Sequence, residues 1–140
     1  MPRLTIDILE GRSMEQKRAL AKGLCEAITE SFQLPLQEGM VRIIEIRFED
    51  FAQGGEFRSD ASLREGKLKY GDVLEPRIYV QFLEGYSHEM KQKLVKRITE
   101  VAAPVLGVTD NDVRIFLQEI PSDSFAVAGI LACDESASRT

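Results

Sequence analysis

The 140-residue sequence predicts an α/β domain in which two tandem β-α-β units share a four-stranded mixed sheet, with both helices on one face. Two observations carry this prediction. The chain repeats itself: Pro2-Arg3-Leu4-Thr5-Ile6-Asp7-Ile8-Leu9-Glu10-Gly11-Arg12-Ser13 recurs from Pro76 to Ser87, displaced by 74 residues with six identities in twelve positions. In each copy, moreover, an apolar strand-like run is followed by a helix start signal, an amphipathic stretch and a second apolar run.

The elements follow in order. Leu4, Ile6, Ile8 and Leu9 open the first unit as a strand, Glu10-Gly11 closes it with a turn, and Ser13 with Gln16 has the spacing of a capping box. Leu20, Leu24, Ala27, Ile28 and Phe32 then recur at three- and four-residue intervals, so the helix has one apolar face and needs a sheet beneath it. Met40 to Ile46 is the second strand. Residues 49–75, with Gln53-Gly54-Gly55, Gly66 and Gly71 among many charges, read as a linker containing a short hairpin. The second unit repeats the plan: a strand from Pro76, the turn Glu84-Gly85, an N-cap at Ser87 with Glu89 in the first turn, an apolar stripe of Leu94, Ile98, Val101, Ala102 and Val105, and a strand from Val113 to Glu119. The units are therefore expected at 1–48 and 76–130, with a tail at 131–140. Each helix is long enough to cross between two parallel strands, right-handed by the usual rule.

With 44% hydrophobic residues, the chain has apolar material for one core. A net charge of −5 supplies no general field for nucleic acid or an anionic membrane, so neither is expected as a partner. No run of about 18 apolar residues and no signal-peptide stretch is visible, which predicts a cytoplasmic protein. Cys25 and Cys133, the only cysteines, stand apart without metal-ligand spacing and read as packing thiols, and the single histidine, His88, falls at a helix start where exposure is expected.

One residue invites chemistry. Pro2, once Met1 is removed, carries a secondary amine rather than an amide, and burial or a neighbouring cation would lower its pKa towards that of an effective general base. Pro76, its repeat, is inside the chain, where its nitrogen is an amide without basicity.

The string from Pro2 to Ser13, followed by Glu15-Gln16-Lys17, and then Leu34-Pro35-Leu36, Val41-Arg42-Ile43-Ile44 and Phe51 before Gly54-Gly55-Glu56, resembles the 4-oxalocrotonate tautomerase family, and the repeat resembles its fused type. The resemblance implies a tautomerase-like fold, a cofactor-independent isomerase needing no metal, and an assembly of six units as a homotrimer. It implies that Pro2 is the base and then the acid, that Arg12 and Arg42 grip the carboxylates of a small dienol or oxo acid, and that Phe51 supplies an apolar wall. Arg114 and Phe125 are expected as the repeat counterparts of Arg42 and Phe51, either copy being able to serve the Pro2 pocket.

The family pattern also implies that the turn of each unit faces the proline of the other. Tyr86, which stands where the first copy has Arg12, is then the residue expected near Pro2, and Arg12 is expected near Pro76. The second turn lacks an arginine, which argues against the related proline-dependent dehalogenases. A proline-based decarboxylase or hydratase, or a small-molecule-binding module without chemistry, remains the alternative.

Overall fold

The two repeats fold as two strand-helix-strand units. In this computed structural model, which describes residues 2–60 and 75–135, the first unit contains β1 (Arg3–Leu9), α1 (Met14–Phe32) and β2 (Met40–Ile46). A small hairpin, β3 (Ala52–Gln53) and β4 (Glu56–Phe57), extends it past residue 48. The second contains β5 (Arg77–Leu83), α2 (His88–Leu106), β6 (Arg114–Ile120) and the matching hairpin β7 (Ala126–Val127) and β8 (Ile130–Leu131). Of the expected linker, residues 61–74, with Gly66 and Gly71, lie outside the described residues, as do Met1 and the end of the tail from residue 136.

The tail begins later than expected. Ala128 and Gly129 adopt positive φ, which turns the chain so that Ile130 pairs with Val127 and Leu131 with Ala126. Ala132 N–H then donates to the Phe125 carbonyl at 2.8 Å, so residues 131–134 are structured.

The helix starts are the expected ones. Ser13 Oγ accepts from the Gln16 N–H while the Gln16 side chain accepts from the Ser13 N–H, completing a capping box, and Ser87 Oγ accepts from the Met90 N–H. Gly11 and Gly85, at φ 107° and 125°, occupy a backbone region costly for residues with a Cβ, which explains why Glu-Gly recurs in both turns. The Glu of each pair is structural too: Glu10 accepts from the Phe48 N–H and Glu84 from the Ser122 N–H, fastening each turn to the chain leaving the parallel neighbour.

The sheet order is β2-β1-β5-β6, with β1 parallel to β2, β5 parallel to β6, and the central pair β1–β5 antiparallel. Both helices cover one face. Leu4, Ile6 and Ile8 from β1 and Ile78, Val80 and Phe82 from β5 are fully buried against Leu20, Leu24, Ile28 and Phe32 of α1 and Leu94, Ile98 and Leu106 of α2. At 25 cal/mol per Å² such side chains contribute about 1.5–3 kcal/mol each to folding, which makes this layer the main source of stability. Lys17–Glu45 and Lys91–Glu119, equivalent ion pairs in the two units, tie each helix to its outer strand. The helices approach closely where Gly23 faces Val101.

Among the described residues the opposite sheet face carries no helix. Met40, Ile44 and Phe116 are exposed there, Tyr79 stacks on Phe116 with ring centroids 5.1 Å apart, and Arg42 shares the face. Among the described residues no helix is long and apolar enough to cross a membrane.

Candidate active site

The antiparallel central pair decides which residues meet Pro2. Arg3 is registered with Gln81, so one step further along β1 places Pro2 opposite Phe82. By the same register Pro76 stands opposite Ile8. The head of each unit therefore abuts the far end of the other unit's central strand, and each site is composite.

Pro2 is buried at the head of β1. Its chain neighbour Arg3 and its register partner Phe82, though not Pro2 itself, line a cavity of about 200 Å³, bounded on the first-unit side by Arg3 and Met40 and on the second-unit side by Gln81, Phe82, Leu83, Ile120 and Phe125. Its walls are mostly apolar, and Arg3 is the one cation among its described lining residues. Tyr86 belongs to this end of the molecule: its ring stacks on Phe32 at 3.8 Å and 8° and meets Phe82 edge-on at 5.8 Å. Burial, reinforced by the Glu38 carboxylate, pushes the Tyr86 phenol pKa up, so at neutral pH it is a hydrogen-bonding hydroxyl.

The pseudo-equivalent place at the head of the second unit is nearly filled. A cavity of only about 30 Å³ remains there, lined by Asp7, Ile8, Leu9, Ile46, Phe51, Glu75 and Arg77. Six of these are the repeat counterparts of residues around the larger cavity: Arg77 matches Arg3, Phe51 matches Phe125, and Asp7, Ile8, Leu9 and Ile46 match Gln81, Phe82, Leu83 and Ile120. The seventh, Glu75, precedes Pro76 as Met1 precedes Pro2. Burial pushes the Asp7 carboxyl pKa up, against the opposing pull of Arg77 and Arg42.

Arg12 lies in this second region, as the exchange of turns implied. Its guanidinium makes two bonds to the Glu75 carboxylate, Nη2–Oε1 at 2.5 Å and Nη1–Oε2 at 3.3 Å, and also donates to the carbonyls of Leu106 and Leu9. Both side chains are almost completely buried. Within the chain Arg12 is thus remote in role from Pro2, and Tyr86 takes its repeat position.

The expected phenylalanines separate in the same way, Phe125 lining the larger cavity and Phe51 the smaller. The pairing of Arg42 with Arg114 needs correction. Arg42 is registered with Thr5 and Arg114 with Arg77, so in the 74-residue repeat the counterpart of Arg42 is Phe116, and that of Arg114 is Met40. The shared Val-Arg-Ile strings lie two residues out of register. Both arginines are on the sheet face opposite α1 and α2, where Arg114 donates to the Asn111 carbonyl, and neither lines the larger cavity.

Sequence reasoning passed over Arg3, Met40, Ile120 and Glu75. Arg3 stood next to Pro2, and Glu75 stood at the repeat counterpart of residue 1; only the register, which needs the pairing of β1 with β5, gives those positions meaning. No three His, Cys, Asp or Glu side chains among the described residues gather as a metal site would require.

The sequence model of the tautomerase family, described as tautomerase enzyme, matches residues 2–61 and again residues 76–132. The chain belongs to the tautomerase family. Individual family members match one unit at a time. The 2-hydroxymuconate tautomerase of Pseudomonas putida is 46% identical over 59 residues, 42% of this chain and 94% of that protein. The 2-hydroxymuconate tautomerase of Bacillus subtilis (strain 168) is 35% identical over 54 residues, 39% of this chain and 87% of that protein. Whole-chain likeness is found among solved structures. A fused 4-OT wild-type asymmetric trimer is similar with a TM-score of 0.78 and 22% identity, covering 96% of this chain and 98% of that one. A malonate semialdehyde decarboxylase is similar at 0.65 and 18%, covering 97% and 98%. The tautomerase fold of this family, two β-α-β units on one mixed sheet, is therefore the fold of this protein.

Proposed function

We propose that the protein is a cofactor-independent tautomerase in which Pro2, freed of Met1, serves as general base and then general acid on a small dienol acid of the 2-hydroxymuconate kind. The observation that carries this reading is the placement of Pro2: buried, at the head of a central strand, with its chain neighbour Arg3 and its register partner Phe82 both lining a cavity of about 200 Å³. Burial and a nearby cation both disfavour a prolinium, so a free amine there would be neutral and basic near pH 7.

The neutral amine takes the enol proton, the π electrons shift along the conjugated chain, and the resulting prolinium returns a proton to the carbon at its far end, giving the 2-oxo isomer. Arg3 holds a carboxylate at the mouth and stabilises charge on the dienolate. Phe82, Leu83, Ile120 and Phe125 exclude water around the conjugated chain, and the Tyr86 hydroxyl offers a neutral hydrogen bond. The open sheet face supports a homotrimer, because Met40, Ile44 and Phe116 leave apolar surface exposed. Arg42 on that face is then presented to a neighbouring chain.

The test is ultraviolet-monitored ketonisation of 2-hydroxymuconate by protein whose free amino-terminal Pro2 has been verified by mass, beside Pro2→Ala. Turnover that falls by roughly 10²-fold or more in the variant is expected. No turnover with verified free proline, or full turnover in Pro2→Ala, refutes the assignment and favours decarboxylation or binding without chemistry.

A further inference from the structure

We propose that the pocket at Pro2 takes dienol acids with a single carboxylate, gripped at the head by Arg3 and Gln81, and with an apolar far end. This substrate class rests on the reading of Pro2 as the base. Strand register gives the leading arginine of each unit a different companion. Arg77 is registered with Asp7 across the central pair, and that carboxylate feels the Arg77 charge. Arg3, the repeat counterpart of Arg77, is registered with Gln81, an amide where the other unit has an acid.

Directly opposed residues on antiparallel strands have Cβ atoms about 4.5–5.5 Å apart, so both side chains of such a pair can reach one small ligand. Asp7 offers Arg77 a counter-charge from within the chain. Gln81 offers Arg3 none, which leaves that guanidinium to a carboxylate brought by the substrate. The Gln81 amide can then donate to the 2-hydroxyl or 2-oxo oxygen next to that carboxylate, and the pair holds the polar head of the molecule. The rest of the lining suits no second charge. Met40, Phe82, Leu83, Ile120 and Phe125 are apolar, and Arg3 is the one cation among the described lining residues. At the turn the neutral Tyr86, stacked on Phe32, stands where the first copy has Arg12. A carboxylate at the far end of the conjugated chain would be desolvated against these side chains without a partner, whereas a methyl group there gains from the same contact.

The test compares two dienols that differ only at the far end, 2-hydroxysorbate with a methyl group and 2-hydroxymuconate with a carboxylate. Ketonisation is followed in the ultraviolet on protein with verified free Pro2. The value of kcat/KM should be higher for the methyl-ended acid by roughly tenfold or more. Gln81 is exposed, so its variants should fold. Gln81→Glu keeps the shape but sets an acid beside Arg3, and should raise KM for 2-hydroxysorbate by roughly tenfold; Gln81→Ala loses a neutral hydrogen bond, and should raise it only about threefold. Equal or greater efficiency with 2-hydroxymuconate overturns the proposal and leaves Pro2 as the base, and so does a Gln81→Glu protein no worse than Gln81→Ala. Should neither dienol turn over, the reading of Pro2 fails and binding alone decides the charge preference. Sorbate, which has no enol to ketonise, should then raise Tm more than muconate at equal concentration, and an equal or smaller rise overturns that preference as well.

Discussion

The division of the two phenylalanines between the two cavities makes a quantitative prediction. Phe125 lines the larger cavity, and Phe51 lines the smaller one together with Glu75. If a planar conjugated acid covers about half of the Phe125 ring, some 60 Å² of apolar surface leaves water, and at about 25 cal/mol per Å² the contact is worth about 1.5 kcal/mol. Phe125→Ala should therefore raise KM for the dienol acid about tenfold while kcat changes less, because the ring touches substrate and transition state alike. Phe51→Ala should alter KM less than about twofold and show its cost in Tm instead, as a half-buried aromatic removed from beside a buried ion pair. Steady-state kinetics on free-Pro2 protein, with Tm measured for both variants, separates the two. Equal effects on KM, or a larger one for Phe51→Ala, would refute the assignment of cavities and mean that a neighbouring chain delivers Phe51 to the Pro2 site.

Two further outcomes follow from the packing. A Cβ added at Gly23 would lie 2.6 Å from Val101 Cγ1, and valine has little χ1 freedom in a helix. Gly23→Ala should then lower stability by about 1 kcal/mol net, overpacking outweighing the gain in helix propensity, and the same change should become stabilising in a Val101→Ala background, as urea unfolding would show; identical effects in both backgrounds would deny the close approach. Asp7 has a raised pKa in the fold, so the native state holds its proton more tightly than the unfolded chain does. The associated stability is complete below about pH 4 and is lost as pH rises through the folded value, leaving a small cost at pH 7, under about 1 kcal/mol for a partly exposed group. Asp7→Asn should raise Tm slightly at pH 7 and not at all below about pH 4, and a benefit that grows on acidification would contradict the burial argument.

Much of this architecture was legible in the residues because it is written twice. The recurrence of Pro-Arg, Leu-Glu-Gly and Ser fixed two strand-turn-helix starts, and the predicted apolar stripe of α1 is buried residue for residue. In α2, Val101 and Val105 are only partly buried, while Ala103 and Leu106 take part in the core instead, a small rotation of the apolar face that periodicity alone does not resolve. The sites were less legible, for a physical reason: a composite pocket is defined by strand register between units 74 residues apart, and register is set by backbone pairing. Matching strings misled where register ruled, as with Val41-Arg42-Ile43 and Val113-Arg114-Ile115. Glu75 gave no signal of its own, since a lone glutamate among the charges of a linker looks solvated until the chain returns it against Arg12.

The antiparallel meeting of β1 and β5 has one more consequence. An assembly of identical single units must repeat every substitution in all of its pockets at once. In this chain a change at Phe125 reaches only the cavity beside Pro2, and a change at Phe51 only the cavity beside Pro76. Joining the two halves has therefore uncoupled them: one pocket can be tuned for a ligand while the other is given over to an internal clasp, and neither change constrains the other.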